Sequence, residues 1–205
     1  MPERRRAPVT PAPPRKTASR GARIPIRGAV RVLFLDVDGT LTDGVIGVDA
    51  RGDSRSFWIR DGLSMQWAQR LGVRVVAISG RASAAVDVRM QDLGVEYHGG
   101  VQDKVEVAER VLAREGARWE QCVMVGDDLP DVAMMRRAGW AVAVGDAQPE
   151  VVAVAERRTH APGGRGAVRE VVEAILRHNR VWDQVLERYE AASAPREARS
   201  RRRRA

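Results

Sequence analysis

The sequence predicts an α/β fold built on a central, mostly parallel sheet. Three observations carry that reading. Five apolar, β-branched runs, at 31–35, 73–78, 95–98, 122–125 and 140–144, have the length of buried strands. Stretches with helical spacing separate them, the alternation that places helices on both faces of a parallel sheet. The chain's 205 residues, 44% of them hydrophobic, suffice for one domain with one sizeable core.

The elements follow in order. The run "VLFL" inside "VRVLFLDVDGTLTDG" is apolar on both faces, as a strand between two helical layers must be, and it leads into Asp36 and Asp38. In "VIGVDARGDSRSFWI", residues 45–59, "DARGD" separates two short apolar runs and predicts a β-hairpin. A helix is expected from Asp61, read as its cap, with Leu63, Trp67 and Leu71 on one face. The 73–78 run leads into "ISGR". Another helix opens with "DKVE", where Asp103 and Glu106 fit a capping box. After 122–125 comes "VGDDLPD", expected to cap a helix at 131–138 with Pro130 near its first turn. Near the end, "GAVREVVEAILRHNRVWDQVLERYEA" is amphipathic and forms one long helix or two. No internal repeat is present. The whole reads as a Rossmann-like three-layer fold with a hairpin insertion.

Charge is distributed unevenly. The net charge is +8, but residues 1–27 carry +7 and residues 194–205 carry +5, which leaves the middle at −4. The expected organisation is a disordered, Pro/Arg-rich basic arm at 1–27, a folded domain at 28–193 and an Arg-rich tail at 194–205. The arm lacks the apolar core of a secretory signal, though its Arg-rich, acid-poor composition also resembles an organellar transit peptide. Such arms touch phosphate-rich polymers non-specifically, so nucleic acid is expected to be an incidental partner at most. No apolar run approaches the roughly 20 residues of a spanning helix, so no membrane is expected. The one cysteine, Cys122, lies in an apolar run and reads as a core thiol. It cannot form a disulfide within one chain, which suits a reducing compartment and a cytoplasmic location.

Two carboxylates at the end of a greasy strand are costly unless they are paired or bound to a cation. In an open parallel sheet the strands' carboxyl ends share one crevice. "DVDGT", "ISGR" and "VGDDLPD" therefore meet there, joined by Lys104 at the start of the helix after the third strand. Asp36, Asp38 and Asp127 supply hard oxygen ligands suited to Mg2+. The cation and Lys104 would offset repulsion between a carboxylate and a phosphate. Asp36 is then the candidate nucleophile forming an aspartyl-phosphate, and Asp38 the acid that protonates the leaving oxygen and later activates water. Ser79, Lys104 and backbone N–H groups after Asp36 would hold the phosphoryl oxygens. Each motif alone has a plainer reading, as a turn, a cap or a solvated side chain. Their joint occurrence at strand ends, in this order, argues for phosphoryl transfer.

"DVDGTLTDG", "ISGR", "QDK" and "VGDDLPD" resemble the four ordered motifs of the haloacid dehalogenase superfamily. "FWIRDGLSMQWAQRLGV", "DKVEVAERVL" and "GGRGAVREVVEAIL" are similar to the 3-deoxy-D-manno-octulosonate 8-phosphate phosphatase family within it, over roughly residues 30–180. The resemblance implies hydrolysis of that sugar-acid phosphate toward the lipopolysaccharide inner core. It implies that Asp36, the backbone carbonyl of Asp38, and Asp127 bind Mg2+, with Asp128 and Asp131 as supporting carboxylates. Substrate would be met by Asp38, by Ile59, Arg60, Asp61, Gly62 and Leu63, and by Trp67, Arg81, Arg89 and Lys104. Trp67 also falls on the core stripe of its helix. A related phosphatase acting on a sialic-acid-type 9-phosphate remains open, as does a non-catalytic protein that binds partners through its basic arms.

Arg60, Arg81 and Arg89 are candidates to grip a substrate carboxylate. Arg165 in "PGGRGA" either approaches the site or marks a plain turn. His98 and His160 have no companion ligands, and His178 is expected to pack or lie on the surface. Between Gly44 and Ser79 there is space for a hairpin and one helix, and between Ser79 and Lys104 for one helix and one strand. No cap domain fits. Because water must be limited at such a site, neighbouring subunits are expected to cover it through the 45–59 hairpin; the resemblance points to a homotetramer.

Overall fold

A computed structural model describes residues 24–50 and 52–193 of the chain. The elements are β1 (Val32–Leu35), β2 (Gly47–Asp49), β3 (Gly52–Ser54), α1 (Ile59–Arg70), β4 (Arg74–Ile78), α2 (Ala84–Leu93) and β5 (Glu96–His98). They continue with α3 (Lys104–Glu115), β6 (Cys122–Gly126), α4 (Val132–Met135), β7 (Trp140–Ala143), α5 (Pro149–Val154), β8 (Arg157–Arg158), α6 (Ala167–His178) and α7 (Trp182–Ser193).

Six strands form one parallel sheet in the order β5-β4-β1-β6-β7-β8, while β2 and β3 make a separate antiparallel hairpin. Period-two alternation explains the two helical layers. Leu33, Leu35, Val75, Ala77, Val123 and Val125 face α1, α2 and α6, whereas Val32, Phe34, Val76, Ile78, Cys122 and Met124 face α3, α4 and α5. The anticipated three-layer α/β architecture with its hairpin is what forms, and among the described residues no further domain is inserted into it. Cys122 is buried, and burial pushes its thiol up to about 12, as befits an inert core residue. No helix among the described residues is long and apolar enough to cross a membrane.

Several details differ from the sequence expectation. Asp61 does not cap its own helix: α1 begins at Ile59, and the Asp61 carboxylate accepts from the backbone N–H of Gly166 at 3.1 Å and of Arg169 at 2.7 Å, capping α6 instead. Asp103 caps α3 through Val105 and Glu106, while the Glu106 side chain pairs with Arg110 rather than closing a box. The C-terminal amphipathic stretch is two helices. Asn179 turns its amide onto both backbone groups of Val30 at 2.9 Å, and Arg180 adopts a φ of 60°, which ends α6. Ile24 and Ile26 are buried in the core, so packing extends upstream of residue 28; residues 1–23 of the expected arm and all of the tail lie outside the described residues. β8 and α5 were not anticipated, since "RR" has no apolar signal and α5 spans less than two turns.

Candidate active site

From β1 the chain runs outward through β4 and β5, then returns to β6 on the other side of β1. The order reverses there, and the crevice opens beyond the strands' carboxyl ends. Leu35 is level with Ala77 on β4 and Val125 on β6, so the residues that follow, Asp36, Ser79 and Asp127, emerge at one edge. Asp36 is anchored by its N–H, which donates to the Val125 carbonyl at 3.0 Å.

Two neighbouring turns shape the floor. Gly39 has a φ of +96°, and a β-carbon there would overlap the Asp127 carboxylate; only glycine lets that acid lie across the first loop. The Thr40 hydroxyl donates to Asp127 Oδ1 at 3.1 Å. Gly163 and Gly164 press against the same loop from outside, with the Gly164 N–H donating to the Thr40 carbonyl at 2.9 Å and no space for a side chain on Gly163. The "PGGRG" stretch is thus a backbone buttress for the aspartate loop. Arg165 itself pairs with Asp43 at 3.2 Å and lies over the Trp58 ring.

Oxygens from Asp36, Asp127 and Asp131 lie within 4.8 Å of one another. Lys104 is buried beside them, its Nζ donating to Asp36 Oδ1 at 2.5 Å and to Asp131 Oδ1 at 2.8 Å. Asp131 Oδ2 accepts from the Asp127 N–H at 3.1 Å, which ties the acidic loop to itself. Burial, and then the charge of Asp131, raise Asp36 well above the usual carboxylate range against the opposing pull of Lys104. The same two causes push Asp127 up to about 6. Lys104 is held above its usual range by Asp36 and Asp131, against burial. Three acids facing one ammonium leave an all-oxygen, net negative hollow. That donor set fits Mg2+, which takes carboxylate oxygens together with water and substrate.

Asp38 lies apart from the cluster, its carboxylate forked by Arg55 Nε at 2.5 Å and Nη2 at 3.4 Å. Ser79 is buried, and its hydroxyl accepts from the Arg81 N–H at 3.0 Å. Arg60 and Arg81 are exposed, as is Ile59. Gly62 sits against Arg89, whose Nη1 pairs with Asp92 at 2.7 Å and whose Nε is a buried donor with no partner. Leu63 packs on the core. Asp128 is exposed and caps the short turn after β6 by accepting from Leu129.

Two expected substrate contacts are engaged elsewhere. Asp61 is buried against α6, as described. Trp67 is buried too, its indole N–H donating to Tyr189 at 3.0 Å with the Arg169 guanidinium stacked 4.0 Å from the ring; it belongs to the packing of α1, α6 and α7. His98 pairs with Glu96, His160 with Glu170, and His178 with the Gly28 carbonyl. Sequence reasoning missed Arg55 and Tyr97, whose hydroxyl donates to the Arg81 carbonyl at 3.0 Å. A signal for Arg55 did exist, because Asp53 and Arg55 share one face of an extended segment.

The haloacid dehalogenase-like hydrolase family model matches residues 62–139. The chain is 38% identical over 149 residues, 72% of its length and 79% of the relative's, to a 3-deoxy-D-manno-octulosonate 8-phosphate phosphatase of Salmonella typhi. A crystal structure of the Moraxella catarrhalis 3-deoxy-D-manno-octulosonate 8-phosphate phosphatase with magnesium, phosphate and KDO superposes with a TM-score of 0.75 at 34% identity, covering 78% of this chain and 93% of that one. The corresponding Yersinia pestis structure gives a TM-score of 0.73 at 35% identity, covering 75% and 84%.

Proposed function

Because the chain belongs to the 3-deoxy-D-manno-octulosonate 8-phosphate phosphatase family of haloacid dehalogenase-like hydrolases, we propose that its crevice hydrolyses the phosphate ester of that eight-carbon sugar acid. The products are the free sugar acid, a precursor of the lipopolysaccharide core, and inorganic phosphate; the cofactor is Mg2+. The observation that carries the mechanism is the convergence of Asp36, Asp127, Asp131 and Lys104 at the switch point of the sheet.

Asp36 and Asp127 would hold the metal together with the Asp38 carbonyl, while Asp131 and Asp128 support the loop. Bound there, Mg2+ neutralises the carboxylates and the phosphoryl oxygens. Asp36 attacks phosphorus in line, and the bond from phosphorus to the sugar oxygen breaks as Asp38 delivers a proton to that oxygen. Asp38 then takes a proton from water, which attacks the aspartyl-phosphate and releases phosphate from Asp36. Lys104 and Ser79 hold the phosphoryl oxygens. Arg60, Arg81 and Arg89, with the exposed Ile59, would meet the sugar acid, Asp61 and Leu63 serving it only by fastening α1 to α6 and to the core.

Val45, Val48 and Ile59 are 70%, 77% and 77% exposed on and beside the hairpin. An apolar surface next to an uncapped crevice supports coverage by neighbouring subunits in a homotetramer. The lone buried thiol supports a cytoplasmic location.

Phosphate release across a panel of sugar-acid phosphates, with and without Mg2+, tests the reading. Preference for the octulosonate ester over a sialic-acid-type 9-phosphate by more than about tenfold in kcat/KM, roughly 1.4 kcal/mol, is expected. A smaller ratio, or turnover in chelator, contradicts it. Sedimentation of a fully active monomer would contradict the assembly.

A further inference from the structure

We propose that Arg55 is a positioning residue that fixes the Asp38 carboxylate and makes its placement depend on the hairpin. The inference rests on the reading of Asp38 as the acid and base of the reaction. Arg55 follows β3 directly, and its side chain is 0% exposed. Its Nε and Nη2 meet the two oxygens of Asp38 at 2.5 and 3.4 Å. Nη1 donates to Ser83 Oγ at 2.6 Å and also to Asp53. Ser83 caps α2 by accepting from the Val86 N–H at 3.4 Å, and its hydroxyl donates to Asp53 Oδ1 at 3.1 Å. One guanidinium therefore joins the hairpin, the start of α2 and the aspartate loop.

Four of the five guanidinium N–H groups are engaged in these bonds. Arg55 is thus poorly placed to bind substrate and well placed to hold Asp38. A carboxylate has about four lone-pair sites, and the fork occupies one on each oxygen. The remaining sites keep a fixed direction for taking or giving a proton. Proton transfer needs heavy atoms within about 3 Å, so a carboxylate free to rotate loses much of its value. A neighbour that moves the hairpin moves Arg55, and Asp38 with it.

A kinetic cycle tests the proposal with Mg2+ saturating: wild type, Arg55→Ala, Asp38→Asn and the double variant, on the octulosonate ester. Arg55→Ala is expected to lower kcat by about 10- to 100-fold with KM held within about threefold. Combined with Asp38→Asn it should cost nothing further. Added guanidinium should restore part of kcat to Arg55→Ala and none to Asp38→Asn. If Arg55→Ala fails to fold, Arg55→Lys, which keeps the charge without the fork, should show the same dependence on Asp38. Independent losses in the double variant, or a raised KM at wild-type kcat, overturn the proposal alone. A wild-type kcat in Asp38→Asn overturns the acid–base assignment beneath it. A chain inert to the octulosonate ester but active on another alkyl phosphate overturns the substrate reading, and the cycle is then decided on that ester.

Discussion

At the scale of single residues, Gly39 decides whether Asp127 can reach the cluster. A methyl group there overlaps the carboxylate and is placed at a φ of +96° that alanine resists. Gly39→Ala is expected to weaken Mg2+ binding by about 10- to 100-fold, measured by titration calorimetry; unchanged affinity would remove this glycine from the account. The aspartates were legible in the sequence because two acids after an apolar strand have no cheap structural use. Arg55 was only faintly so: Asp53 on the same face is a weak signal, and the partners that define its role, Asp38 and Ser83, arrive through tertiary folding. Asp61 and Trp67 are ambiguous for the same reason: an aspartate before a helical stretch and an aromatic on its stripe each fit two environments, and the packing of α6 directs Asp61 to the start of α6 and Trp67 to Arg169 and Tyr189.

At the scale of elements, α6 is fastened to α1 by Asp61 and to the aspartate loop by the glycine buttress. Burial, opposed by the N–H groups of Arg169 and Gly166, pushes Asp61 up to about 6. Its folded-state value thus lies above its unfolded one, so its contribution to stability declines as pH rises from about 4 to about 6. The stability difference between wild type and Asp61→Asn should therefore shift against wild type by about 2 to 3 kcal/mol over that window, read from urea unfolding at several pH values. A difference that stays constant with pH would show that Asp61 ionises normally. Gly163→Ala, which forces the buttress off the Gly39 carbonyl, should lower kcat by up to about 100-fold through misplacement of Asp36 and Asp38; wild-type kcat would dissociate buttress from site. The strands β1, β4, β6 and β7 were legible from their apolar runs, and the short β5 from the run that leads into it. β8 was invisible because a two-residue edge strand of arginines is specified by its neighbour β7, not by its own side chains.

At the scale of the molecule, apolar packing reaches into the basic stretch ahead of Gly28. Ile24 and Ile26 are buried although they lie within the basic stretch. A chain starting at Gly28 should be about 3 to 5 kcal/mol less stable than one starting at Ile24, by denaturant unfolding; equal stability would mean that these isoleucines contribute nothing. Asp36, Asp61 and Asp127 all titrate high, whereas Glu96, held down to about 2 by Arg114 and Arg74 against burial, is already ionised above about 4.5 in both states. Metal-free protein should therefore lose stability as pH rises from about 4.5 to about 6. Mg2+ at about 100 times its Kd should restore about 2.7 kcal/mol at pH near 7.5, a rise in Tm of roughly 5 to 10 °C, and far less at pH near 4.5. The central claim is that Asp36 becomes phosphorylated, and acid quenching during turnover with peptide mapping tests it most directly. The account predicts a phosphoryl group on the segment 30–44 at Asp36, absent in Asp36→Asn together with turnover; wild-type turnover by Asp36→Asn, or a phosphoryl group on another residue, would contradict it.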